Sequence, residues 1–212
     1  MHHTREHGIP RARMEALTDG VYAVAITLLV LDLRLPELPA HAASQDVAQA
    51  LLALVPKISV WLLSFWVVAL FWMSGARLTR LAAEGAMPSP RIELSQLALV
   101  GLMPFSTSMM AQYGDLAVAA AVYSAHLLAL SLLSLARIVA AFPSAAAVPQ
   151  PAEYAALRRT LLRRAGLPVA CLVLAVPLAF VVPGWNMLAM VPLALVPPAS
   201  RLWDALRRRR RN

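Results

Sequence analysis

The stretch RMEALTDGVYAVAITLLVLD, residues 13–32, decides the class of fold. Its apolar part, Ala16–Leu33, has the length of a helix that crosses a bilayer, which takes about 17 to 25 residues. Ionisable side chains stand near both ends, Asp19 and Asp32. Because such groups are expensive at membrane depth, this helix is a candidate functional element.

Further apolar runs of similar length follow along the chain. The six predicted spans are Ala16–Leu33, Val55–Ser74, Leu94–Ala111, Leu116–Leu135, Gly166–Val182 and Trp185–Leu202. They predict an all-α membrane protein in which residues 1–212 form a single six-helix subunit with no second domain.

Composition excludes an ordinary soluble domain. Of 212 residues, 60% are hydrophobic and 14% are charged, against roughly 25% charged in a typical soluble protein. The mean hydropathy of +0.66 indicates more apolar residues than one water-soluble core of this size hides. Lipid must therefore solvate the remainder.

Basic residues are distributed unevenly between the two sides of the predicted bundle. If the N-terminus is inside, 17 of the 19 lysines and arginines lie in inside segments, and only Arg34 and Lys57 lie outside. By the positive-inside rule, both termini are predicted to be cytoplasmic. The basic tail, 203–212, is interpreted as an orientation signal that contacts anionic lipid headgroups, and no nucleic-acid partner is expected. The Ala/Pro-rich segment 142–156 is predicted to be an extended cytoplasmic linker.

Catalytic motifs are absent from the sequence. It contains no Gly-x-Ser-x-Gly, no His-Glu-x-x-His and no phosphate-binding glycine-rich loop. The chain is therefore predicted not to be an enzyme, and no cofactor or resident metal is expected. His126 stands alone in the fourth span, where a single histidine is expected to hydrogen-bond to a neighbouring helix.

The charged start of the first span needs a partner. Asp19 lies about 120° around a helix from Arg13, which is badly placed for pairing within one helix. We expect a partner on another helix, and Arg77 at the end of the second span is the candidate.

An apolar stripe follows these charges. Val24, Leu28 and Leu31 fall at i, i+4 and i+7 on one helical face, with Thr27 beside them. Taken alone, the stripe indicates packing or lipid contact. It lines a pore only if several copies converge on an axis.

These residues carry a family resemblance. The segment 13–20 resembles the Arg-x-x-x-Phe-Ser-Asp-Gly signature of the transmembrane protein 175 family of potassium channels, in its single-repeat prokaryotic form. Residues 21–32 resemble the first helix of that family, and 102–107 with 113–115 resemble its third.

The chain departs from the family pattern at three places. Leu17 stands where Phe is usual, and Thr18 stands where Ser is usual. After Trp72, the segment Gly75-Ala76-Arg77 replaces a common His-His-Arg run. Gating or pH behaviour tied to those histidines is therefore not carried over to this chain.

The resemblance implies a homotetramer in a bacterial inner membrane, in which four copies of the first helix line a central path for potassium ions. Val24 matches the narrowest apolar ring, and Thr27, Leu28 and Leu31 match the other layers. Such a ring forces a passing ion to lose part of its hydration water without offering replacement ligands, and potassium loses its hydration water more readily than sodium. The expected preference for potassium over sodium is therefore modest. Asp32 matches a carboxylate ring at the outer mouth.

The resemblance also assigns a structural network at the cytoplasmic end of the first helix. Interhelical hydrogen bonds there are expected to hold the helix in its assembled state. The residues assigned to this network are Arg13, Thr18, Asp19, Gly20, Trp72 and Arg77.

Two other classes of function stay open. A proton-coupled or small-solute transporter is supported by Asp19 and by the prolines of the fifth and sixth spans, although the paired repeats typical of transporters are absent. A non-conducting scaffold would need an exposed binding surface, and the loops are short.

Overall fold

The structure, a computed structural model, describes residues 10–81, 89–142 and 151–182. These residues are helical apart from the connections between helices. The elements in chain order are α1 (Arg11–Leu28), a 3-10 helix (Leu29–Asp32), α2 (Ser44–Ala53), α3 (Val55–Leu81), α4 (Pro90–Tyr113), α5 (Ala117–Ala141) and α6 (Pro151–Val181).

Five helices are long and apolar enough to cross a membrane. Their candidate spans are Arg11–Asp32, Val55–Thr79, Pro90–Tyr113, Ala117–Ala141 and Tyr154–Val181. Each matches one of the first five predicted spans, which confirms the all-α, multi-pass reading. The sixth predicted span, Trp185–Leu202, and the tail 203–212 lie outside the described residues.

The boundaries differ from the prediction in two places. The extended linker predicted over 142–156 is wrong for its last six residues, because α6 already begins at Pro151. Proline is favourable in the first turn of a helix, where its missing N–H has no partner to lose. The short helix α2, between the first two spans, was not predicted, since ten residues give little apolar periodicity.

Local sequence explains where α4 begins. The side chain of Ser89 accepts a hydrogen bond from the backbone N–H of Arg91, and Pro90 occupies the first helical position. Inside α4, Pro104 removes one backbone donor. The helix nevertheless continues to Tyr113.

The main core lies where the spans meet. Its fully buried members include Tyr22 of α1, Val68 of α3, Met103 of α4, Tyr123 of α5 and Leu172 of α6. Residues from five helices therefore share one core, which fixes the helices relative to one another.

A second, smaller cluster packs at the end of the bundle where α3 and α5 end and α6 begins. Leu78, Ile138, Ala141 and Phe142 are buried there. Partly buried residues of α6 cover them, among them Tyr154, Leu157 and Leu161. We call this end, which also holds Arg11, Arg91 and Arg158, the basic end.

Candidate functional site

Helix α1 has two distinct faces. Tyr22 and Ala25, together with Leu29 of the 3-10 helix that continues α1, are almost completely buried against the rest of the bundle. The opposite face carries Val24 and Leu31, which are 57% and 56% exposed. An apolar face that the chain leaves uncovered must meet lipid or another protein surface.

The predicted pore residues lie together on this exposed face. Val24, Leu28 and Leu31 are exposed, and Thr27 is exposed beside them. The Thr27 hydroxyl bonds within its own helix, to the carbonyl oxygens of Ala23 at 3.0 Å and Val24 at 2.8 Å. These bonds satisfy a polar group that would otherwise be costly at membrane depth.

At the basic end, two predicted network residues meet. The indole Nε1 of Trp72 on α3 donates a 2.8 Å hydrogen bond to Oδ1 of Asp19 on α1. The hydrogen-bond partner found for Asp19 is therefore this indole, and an ion pair with Arg77 stays a prediction. Thr18 is partly buried next to Asp19, whereas Arg13 and Gly20 are exposed.

A further tether between α1 and α3 was not foreseen. The guanidinium of Arg11 donates to the backbone carbonyl of Thr79 and to the carboxylate of Glu15. Thr79 lies seven residues after Trp72, on the same face of α3. The segment of α1 from Arg11 to Asp19 is thus held along one side of α3.

At the far end of the span, Asp32 is partly buried. Its Oδ1 accepts a 2.9 Å hydrogen bond from the Ser108 hydroxyl of α4, and that hydroxyl also accepts from Gln112. The carboxylate predicted at the outer mouth is therefore fixed in position by α4.

A buried polar network joins three helices, and the sequence did not reveal it. Arg137 Nε of α5 donates to Glu93 Oε1 of α4 at 2.8 Å, with both side chains only 7% exposed. Arg137 Nη1 donates to Gln96 Oε1 at 3.1 Å, and Gln96 Nε2 donates to the Tyr22 hydroxyl of α1 at 3.1 Å. In the sequence, the polar residue Gln96 within an apolar span was the feature that could have indicated this network.

Helix α3 packs against this network at Gly75, a residue without a side chain, which leaves room for the Arg137 guanidinium. A Cβ atom added to Gly75 would lie 3.1 Å from Nη1 of Arg137. The guanidinium therefore occupies space that any side chain at position 75 would reduce. Arg137 was counted among the inside charges, and its burial was not predicted.

Two other polar groups bind helices together. The Ser64 hydroxyl lies 2.8 Å from the Tyr123 hydroxyl and accepts from Thr107. His126 contacts Ser106 and the Leu99 carbonyl through its two ring nitrogens, at 2.7 and 2.9 Å. The predicted interhelical role of His126 is confirmed. Within the three described ranges, no group of three or more metal-binding side chains occurs.

These features define the class of protein. Several long apolar helices that are joined by interhelical hydrogen bonds and leave one apolar face uncovered are those of a multi-pass membrane protein. The particular family follows from comparison with known proteins.

The family described as "Endosomal/lysosomal potassium channel TMEM175" matches residues 13–104. A potassium channel of Streptomyces collinus is 35% identical over 57% of this chain and 59% of its own length. A potassium channel of Chamaesiphon minutus is 34% identical over 57% of this chain and 61% of its own length. The matched segments thus span about three fifths of these relatives.

A solved structure extends the likeness over nearly the whole chain. It is the crystal structure of a lysosomal potassium-selective channel TMEM175 homolog from Chamaesiphon minutus. The TM-score is 0.69 at 26% identity, covering 92% of this chain and 96% of that chain. The chain is therefore similar to the TMEM175 family in sequence over residues 13–104 and in structure over most of its length, as the resemblance in residues 13–20 predicted. That family consists of channels, which are not enzymes.

Proposed function

We propose that this chain is the subunit of a homotetrameric, potassium-permeable cation channel in a bacterial inner membrane, with α1 lining the pore. The observation that carries the proposal is the face of α1 that bears Val24, Leu28 and Leu31. It is apolar and exposed, whereas the opposite face is buried in the bundle of the same chain. Four copies that place these faces on one axis enclose a path with apolar walls.

Selection at such a path works through hydration. A ring of Val24 side chains forces a passing ion to shed part of its water without offering oxygen ligands in return. Potassium gives up water more readily than sodium, so the ring prefers potassium by a modest factor. Thr27, Leu28 and Leu31 form the neighbouring layers. The sequence has no Thr-Val-Gly-Tyr-Gly carbonyl filter that would provide stronger selection.

The two ends of the path have different roles. Asp32, held by Ser108, forms a four-carboxylate ring at the outer mouth that concentrates cations. Asp19, held by Trp72, keeps the inner end of α1 against α3. The orientation follows from the arginines, because the basic end faces the cytoplasm and its anionic lipid headgroups.

The decisive experiment is ion flux into liposomes that contain the purified protein. Potassium and sodium gradients are compared for the wild type, Val24→Asn and Val24→Ile. We expect potassium-favouring flux in the wild type, no preference in the asparagine variant, and a sharper preference in the isoleucine variant, whose ring is narrower by one methylene per subunit.

A matched control is Val122→Asn, since Val122 is also exposed but lies on α5. It places the same polar group away from the proposed axis, so the wild-type preference should persist. Absence of flux from a folded tetramer would overturn the proposal, and potassium flux strictly coupled to protons would indicate a transporter instead.

A further inference from the structure

We propose that Tyr22 is a specificity-determining positioning residue, which sets the rotation of α1 and thereby the direction in which Val24 points. This inference rests on the proposed channel function. Tyr22 is 2% exposed and lies about 200° around the helix from Val24, so the two side chains project from nearly opposite sides of α1. A rotation of α1 at Tyr22 therefore moves Val24 by the same angle.

The orientation of the partner of Tyr22, the Gln96 amide, is set by Arg137. Arginine has only donors, so the oxygen of the Gln96 amide must face Arg137. The amide nitrogen then faces the Tyr22 hydroxyl and donates to it at 3.1 Å. An inverted amide would place its donor nitrogen against the donors of Arg137 and lose that hydrogen bond, so the contact with Arg137 decides the orientation.

Arg137 is itself immobilised. Its Nε bonds to Glu93 at 2.8 Å, and its Nη1 lies beside the Cβ-free surface of Gly75. Because both charged side chains are buried, a shift of the guanidinium would leave an unpaired charge away from water. The Tyr22 hydroxyl is thus attached, through Gln96, to a fixed point between α3, α4 and α5.

Other contacts of α1 are less suited to fixing its rotation. The neighbours of Tyr22 on the buried face, Ala25 and Leu29, pack through apolar contact, which has no directional preference. The Asp19–Trp72 bond is exposed. Among the interhelical hydrogen bonds described above, the bond from Gln96 to Tyr22 is buried and lies nearest to Val24 in the sequence.

The test compares two buried tyrosines that each lose one hydroxyl. Tyr22→Phe removes the bond to Gln96, whereas Tyr123→Phe removes an equally buried bond to Ser64 that does not involve α1. Potassium and sodium flux are measured separately in liposomes for each variant. We expect the potassium-to-sodium flux ratio to fall by about two- to fivefold in Tyr22→Phe, and to stay at the wild-type value in Tyr123→Phe.

A merely structural role would lower the amount of active channel in both variants without changing the ratio. Gln96→Met serves as a second route that keeps Tyr22 intact, and it should give the same fall in the ratio. Gln96→Met also removes the hydrogen bond from Arg137, so the flux ratio of the double variant Tyr22→Phe/Gln96→Met should fall no further than that of Gln96→Met alone, in which the bond to Tyr22 is already absent.

The outcomes separate the two proposals. A wild type that conducts with a potassium preference, together with an unchanged ratio in both Tyr22→Phe and Gln96→Met, overturns the positioning role and leaves the channel function standing. Equal falls in Tyr22→Phe and Tyr123→Phe also overturn it, since the effect would then be general loosening. A folded wild-type tetramer without flux overturns the channel function itself.

Discussion

The indole Nε1 of Trp72 donates a hydrogen bond of 2.8 Å to Oδ1 of Asp19, a residue 53 positions earlier in the chain. The bond joins α1 to α3 near the basic end. Both residues are among those for which the family resemblance predicts a structural network at this end of α1, and that role stays a prediction.

This bond predicts a graded response at position 19. Asp19→Asn keeps an oxygen that accepts from Trp72, so it should assemble and conduct nearly as the wild type does. Asp19→Ala removes the acceptor and should lower the free energy of unfolding by about 0.5–1.5 kcal/mol, since the bond is solvent-accessible. Thermal unfolding in detergent and potassium flux in liposomes measure the two effects.

Trp72→Phe supplies the reciprocal variant, because it removes the donor and keeps an aromatic ring. Glu15→Ala is the control, as it breaks only the exposed Arg11–Glu15 pair within α1. Wild-type stability and flux in both Asp19→Ala and Trp72→Phe would contradict the structural role and leave Asp19 as a charge at the start of a span.

Asp32 predicts a salt-dependent conductance. Asp32→Asn keeps an acceptor for Ser108 but removes four negative charges from the mouth of the proposed tetramer. Potassium current should fall at about 10 mM salt, where charges act over about 30 Å, and recover at about 1 M salt, where they act over about 3 Å. Single-channel recording in planar bilayers measures this.

Asp115→Asn is the matched control for that experiment, because Asp115 is exposed in the turn between α4 and α5. It should leave the current unchanged at both salt concentrations. If Asp32→Asn behaved in the same way as Asp115→Asn, the outer-mouth role of Asp32 would be wrong.

The sequence predicted those parts of the fold that depend on length and hydropathy. The five apolar runs form five long helices. An unbroken apolar surface is favourable in lipid, and the backbone N–H and C=O groups there must bond to each other, as they do in a helix. The ends were less predictable. Helix α1 begins at Arg11, before the apolar run starts at Ala16, because charged residues extend the helix beyond the membrane.

The candidate site was predicted only where the family signature reached. The roles predicted for Val24 and Asp19 come from the family resemblance, whereas the burial of Arg137 depends on Glu93, 44 residues earlier. A lone arginine near the end of a span carries the same sequence signal whether it faces water or a carboxylate. Only tertiary structure distinguishes the two cases.

The Arg137–Glu93 pair predicts a strong asymmetry between single and double substitution. Glu93→Leu alone leaves a buried guanidinium without its carboxylate and should lower the free energy of unfolding by about 3–5 kcal/mol. Replacing both residues, as in Glu93→Leu/Arg137→Met, removes both charges and should recover much of that loss. Thermal unfolding of the detergent-solubilised protein measures each variant.

A double variant as unstable as Glu93→Leu would show that the destabilisation does not come from an unpaired charge. The pair would then act through specific hydrogen bonds, such as the one from Arg137 to Gln96. Leu94→Ala, on an exposed residue next to Glu93, controls for substitution in this turn of α4 and should have a small effect.

The surroundings of Gly75 and Gly101 predict different changes in stability for the same substitution to alanine at these two helical glycines. Gly101→Ala meets nothing within 4 Å and should stabilise the protein by about 0.8–1.0 kcal/mol, the difference in helix propensity. Gly75→Ala gains the same propensity, but its Cβ would lie 3.1 Å from Nη1 of Arg137. That guanidinium is held by Glu93 and Gln96, so it has little freedom to retreat, and the variant should be less stable than Gly101→Ala. Equal stabilisation of both variants, measured by thermal unfolding, would mean that Arg137 yields easily and that its network is not rigid.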